Sequence, residues 1–250
     1  MNENNNGHWW EFYGVRYAQG TVVGAMIVFF LFSRNEALKN ILFIPSEPKD
    51  FGMPHLILLA VYGLAYCYIA SAPILIMHAG RGLLFKSTTN TNVYSGWRTR
   101  LFFIFIPPII SIVVYQYMYG DDELNTLKCL ALFIYVMLIS FQLTMLYSIF
   151  YGSWKKTIDY YLVTISKRNQ HKESGYIESY KHIREHGNSF LIVTFQFFLA
   201  CPIFIFVSQP EISNENAVRH LSLIVLFWIM PAATIWLFGN KLETHLQDMN

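Results

Sequence analysis

The sequence predicts an all-α, polytopic transmembrane helix bundle of about six spans, with a cytosolic helical hairpin between spans four and five. Three observations carry this. Hydrophobic residues make up 54% of the 250 and charged residues only 14%, against about 25% charged in a soluble domain. Six apolar stretches approach the roughly 20 residues a helix needs to cross the hydrocarbon. None of them holds Asp, Glu, Lys or Arg in its central part. Trp9, Trp10, Trp97, Trp154 and Trp236 fall at the ends of these stretches, where amphipathic rings favour the headgroup level. The whole chain reads as one integral membrane domain.

Residues 1–8 are Asn-rich and read as a disordered N-terminus. They lack a basic segment, and no small-residue cleavage site follows the first apolar run, so a cleaved signal peptide is not expected. The first span, about 17–32, has an unbroken apolar core only over Thr21–Phe32. It crosses by recruiting the aromatic Trp9–Gln19 stretch as an interfacial lead-in, and a re-entrant or interfacial helix is the other reading. The second span covers about 52–78 and the third 101–118. The third contains Pro107-Pro108, which removes the donors for the carbonyls of Phe103 and Ile104 and predicts a kink. The fourth span, 127–154, follows Asp121, Asp122 and Glu123, acids suited to a helix N-terminus. The fifth and sixth, 190–208 and 221–238, carry Pro202 and Pro231.

With six spans, thirteen of the eighteen Lys and Arg fall on one side, most of them in 81–100 and 155–184. The heavier side is the cytoplasmic one. The expectation is therefore a plasma (inner) membrane protein with both termini in the cytoplasm.

Lipid tails are as apolar as Leu, so helices meet in a bilayer through small residues and polar contacts. Gly20 and Gly24 form a GxxxG in the first span, and Gly63 and Cys67 lie on a small-residue face of the second. These four are the expected packing residues, and the GxxxG face also suggests self-association into a homo-oligomer. Ser140, Thr144 and Ser148 recur at i, i+4, i+8 in the fourth span. They read either as a polar pore lining, with Gln142 or Gln196 nearby, or as plain packing in which each hydroxyl bonds its own i−4 carbonyl.

Several function classes drop back. A net charge of +2 gives no reason to expect nucleic acid. Coupled pumps and voltage sensors place ionisable groups at mid-membrane, and none is found here. Cys67, Cys129 and Cys201 lie in or beside apolar segments without metal spacing, and read as small packing residues. No phosphate loop or cofactor fingerprint occurs, so no cofactor is expected.

Residues 155–187 form the longest hydrophilic stretch. Ile158, Tyr161, Leu162 and Ile165 recur at helical spacing, as do Tyr176, Tyr180 and Ile183 beyond a polar break. Both halves read as amphipathic helices, together a basic hairpin. Such a hairpin suits anionic lipid headgroups or a cytosolic protein partner. It also contains His182-Ile-Arg-Glu185-His186, an HxxEH pattern in which His182 and His186 share a helix face and could hold Zn²⁺. For a third protein ligand only isolated candidates exist, such as His78 at the cytoplasmic end of the second span, and five residues match easily by chance.

The expected function is a non-enzymatic membrane subunit, pore-like or effector-type, that self-associates and takes input through the hairpin. A facilitator for a small solute, a membrane-tethered zinc hydrolase and a scaffolding subunit are the alternatives.

Overall fold

The computed structural model describes residues 9–45, 48–81, 97–119, 125–152, 154–170, 175–208 and 213–247. Among these the extended elements are all helical: α1 (Trp9–Phe32), α2 (Glu36–Ile41), α3 (Met53–Ala70), α4 (Ala72–Ala79), α5 (Trp97–Tyr119), α6 (Asn125–Tyr147), α7 (Trp154–Gln170), α8 (Gly175–Val207), α9 (Asn214–Ala233) and α10 (Ile235–Gln247). A 3₁₀ turn at Pro48–Asp50 leads toward α3, and a π-helical turn at Ser148–Gly152 follows α6. Six stretches are long and apolar enough to cross a membrane: Gly14–Phe32, Met53–Ala79, Arg98–Met118, Thr126–Tyr151, Gly187–Val207 and Asn214–Lys241. They fall on the six expected spans, the build of a multi-pass membrane protein. The aromatic lead-in of the first span is helical from Trp9 onward. The acids at 121–123 lie outside the described residues.

The prolines act differently from one another. Pro107 and Pro108, expected to interrupt the third span, lie inside a helix that runs unbroken from Trp97 to Tyr119. A membrane helix tolerates the loss of local donors when the rest of its ladder holds. The ladder does give way at Ser71 and Thr234. Pro73 sits in the first turn of α4, where a missing N–H leaves nothing unsatisfied, and the Ser71 hydroxyl donates to Tyr68 O at 2.8 Å. Beyond Pro231, the Thr234 hydroxyl donates to the Pro231 carbonyl at 2.6 Å.

Contacts group the chain into two compact units, residues 1–71 with 182–224 and residues 72–181 with 225–250. In the first, α1 and α3 approach at backbone distance. A Cβ on Gly24 would stand 2.5 Å from Gly63 O, and one on Gly63 would stand 2.7 Å from Ala25 N. A glycine within a helix is about 1 kcal/mol less favourable than alanine. Here the missing Cβ is what allows the contact. In the second unit Ile76 and Ala79 of α4, Met145 of α6, Ile149 of the π turn, Ala232 of α9, and Ile235 and Phe238 of α10 form one buried cluster.

The α1–α3 connection is ordered by its own hydrogen bonds. Asn35 caps α2, its side chain accepting from Leu38 N at 3.1 Å. At the other end Ile44 N donates to Lys39 O at 3.0 Å and Phe43 N to Asn40 O at 3.4 Å. That paired closure places one residue in the left-handed region, usually Gly. Phe43 occupies it with φ 52°, at a cost of about 1–2 kcal/mol for an L-residue.

Candidate functional site

Two polar groupings lie inside the apolar helices, one in each unit. In the first unit Gln196 of α8 is held from both sides. Its Nε2 donates to Gly20 O of α1 at 2.9 Å, and Tyr66 of α3 donates its hydroxyl to Gln196 O at 2.7 Å. A Cβ on Gly20 would run into Cys67 Sγ and stand 3.1 Å from Gln196 Nε2. Gly20, Gly24, Gly63 and Cys67 are thus brought into one seam, and Gln196 closes it. Gln196 therefore lies against Gly20. Helix periodicity says which face a residue occupies, not which helix that face meets. The GxxxG face is covered by α3 of the same chain.

The second grouping lies on α6 and the first residue of the π turn. Ser140 and Ser148 are buried and Thr144 is half-buried, with its hydroxyl donating to Ser140 O at 2.7 Å. For Thr144 this is the i−4 back-bond of the packing alternative. Gln142 behaves otherwise. It is fully buried, and neither its Nε2 nor its Oε1 meets a hydrogen-bond partner among the described residues. An amide left so in an apolar interior costs about 1–3 kcal/mol.

Beyond α6 the π turn at Ser148–Gly152 leads toward α7. Turns of this kind mark functional sites and register changes in helices. α7 is tied to the end of α4 by Tyr161, whose hydroxyl donates to His78 O at 2.8 Å and Ala79 O at 3.2 Å. The same ring lies 6.0 Å from that of Phe238. Burial pushes the Tyr161 phenol up from its usual 10.0, partly offset by Arg81. It therefore stays a protonated donor through the neutral range. The sequence marked Tyr161 only as an apolar-face position, and nothing in one sequence pairs it with carbonyls about 80 residues away.

Two open apolar grooves flank α6. One of about 500 Å³ is lined by Pro107, Ile110, Ser111, Val114, Tyr115, Met118 and Leu132. The other, about 340 Å³, is lined by Leu143, Leu146, Tyr147, Phe150, Tyr151, Thr234 and Leu237. None of Ser140, Gln142, Thr144 or Ser148 lines either groove.

His182 and His186 lie within α8, but their side chains are outside the described residues. Among the described residues no three His, Cys, Asp or Glu gather as a metal site would require. Comparison with protein-family models, with curated proteins and with solved structures returns no match.

Proposed function

We propose that this chain is a non-enzymatic membrane subunit of pore-like action and that this conformation is its closed state. The observation that carries the reading is Gln142, a fully buried amide without a partner among the described residues. A bilayer interior offers nothing to such a group. A conformation that wets its face of α6 therefore recovers what the closed state forgoes. By the roughly 3.6-residue period Gln142 lies on the face nearly opposite Ser140, Thr144 and Ser148, so the wetted face is that of Gln142 while the hydroxyl stripe stays packed. The π turn supplies the joint about which α6 changes register, and α7 supplies the lever, latched to α4 by Tyr161.

In this reading residues 155–187 face the cytosol, as the Lys and Arg distribution favours, and meet an anionic lipid surface or a cytosolic protein. Copies assemble through faces other than the Gly20/Gly24 seam. A facilitator for an apolar solute is the second reading, favoured by the 500 Å³ groove between α5 and α6.

The test is ion and dye release from liposomes holding the purified protein, under an imposed potential. Wild-type protein is expected to release ions. Gln142→Leu is expected to lower release while stabilising the folded protein by about 1–3 kcal/mol, since it removes a desolvated amide from the closed state. Tyr161→Phe is expected to change the release rate but not the ions that pass. Tight liposomes with wild-type protein under all potentials would overturn the pore. Saturable uptake of one apolar solute would promote the facilitator.

A further inference from the structure

The α1–α3 connection carries an oddity that the pore reading does not use. Phe43 takes the left-handed position that closes α2, and its side chain is 72% exposed. A glycine would close the turn without strain, so the local fold gives no reason for a benzyl group there. At that exposure most of the residue faces outside the chain.

Depth identifies what it meets. Phe43 shares a small recess with Leu42, Ile44 and Phe51 of the connection, and with Phe29 of α1 and Leu59 and Tyr62 of α3. Phe29 lies three residues inside the Gly14–Phe32 span, which at 19 residues has no length to spare. Leu59 and Tyr62 lie six and nine residues past Met53, roughly 9 and 14 Å along the helix at its usual rise. The connection therefore folds back along the flanks of its two spans. It does not stand off in water.

Its polar groups suit that depth. Asn35 caps one end of α2 and the paired turn closes the other, as an apolar setting demands of backbone. The largely buried Lys39 side chain meets the exposed Glu36 carboxylate at 3.2 Å. On the flanking spans Phe30, Met53 and Ile57 are each more than half exposed, while on α2 itself Glu36 and Asn40 keep polar side chains at the surface. Arg34 holds its guanidinium 4.5 Å from the Phe30 ring centre, an aromatic-cation pairing at home among headgroups.

We infer that residues 35–45 form a re-entrant foot whose Phe43 ring inserts among the lipid acyl chains, just below the headgroups, of the leaflet on that side. The occupant of this surface is lipid, and the strained backbone holds the wedge in place.

Spin labels at Phe43→Cys and, as a water-side control, at Asp50→Cys in reconstituted protein test the inference, with unsubstituted protein correcting for native cysteines. The label at 43 should collide with oxygen several-fold more often, relative to a water-soluble nickel chelate, than the label at 50. Nickel-dominated collisions at 43 would place the ring in water. Shielding from both agents would place it against protein, and either result overturns the inference. Phe43→Gly adds a readout that survives poor labelling. It should raise the unfolding midpoint in detergent by relieving the backbone, and that gain should shrink or reverse in lipid. An equal gain in both media would also overturn it.

Discussion

The first and third spans have similar lengths and a similar lack of charge, yet they are used in opposite ways. α1 lies against α3 so closely that Gly24 and Gly63 touch through their backbones. α5 packs along α6, and only 6% of its spanning stretch is buried. Phe102, Phe103, Ile109, Ile110, Val113 and Val114 all stand exposed on it. The difference lies in side-chain size, not in hydrophobicity. Bulky apolar groups gain nothing by leaving lipid for protein, whereas small residues let backbones and polar groups meet. In this chain apolar length makes a helix able to span, and glycine decides how closely α1 and α3 approach.

The hardest test of that contrast is Gly24→Leu. The nearest atom to a new Cβ is a backbone oxygen, Gly63 O, with Gly63 C and Cα at 3.2 and 3.3 Å. No rotamer change of a neighbour relieves such a clash, so α1 and α3 must separate. Overpacking in a tight core costs about 1–3 kcal/mol and occasionally more, and here the upper end or loss of folding is expected. Chemical unfolding in detergent measures it. Retention of wild-type stability would show that the α1–α3 contact contributes little. The same variant is a poor probe of self-association, because the face it alters is already covered within the chain.

A smaller loss is expected where the seam is held by a hydrogen bond. Tyr66→Phe removes the donor to Gln196 O, a bond of 2.7 Å in a buried setting. Bonds between membrane helices are worth about 0.6 kcal/mol on average and up to about 1.7. The expected loss lies in that range, read from the same unfolding curves. A loss as large as that of Gly24→Leu would mean that polar contacts, not close approach, hold this unit together.

The spans were legible in the sequence because each is set by a local property, apolar length, that needs no knowledge of neighbours. Gly20, Gly24, Gly63 and Cys67 were legible for a related reason: small residues at helical spacing have few uses in a bilayer beyond close packing. What the sequence did not carry is pairing. Nothing local matches Tyr66 to Gln196, or Tyr161 to the carbonyls of His78 and Ala79, since each pair is made by helices far apart in the chain. The prolines were read for their chemistry alone, which does not say that the helix assignment runs on through Pro107-Pro108 but stops near Pro73 and Pro231. That Gln142's amide has no partner among the described residues depends on every neighbour at once. Phe43 was missed because a phenylalanine signals burial or an interface, not the left-handed turn where it sits.

The gentlest comparison sets Val113→Ala in α5 beside Val28→Ala in α1. Val28 is 3% exposed and Val113 is 61% exposed. In water truncating Val28 would lose hydrophobic burial, but in a bilayer that contribution largely vanishes, because lipid replaces protein at equal apolarity. What remains for Val28 is the cavity left behind, about 1 kcal/mol. For Val113 lipid fills the gap in folded and unfolded states alike, so its effect should stay within about 0.5 kcal/mol. Unfolding in reconstituted bilayers separates the two. If Val113→Ala costs as much as Val28→Ala there, while remaining neutral in dilute detergent, then protein and not lipid covers that face of α5. A second copy of the chain would then be the first candidate, and α5 would join the packed spans through its partner.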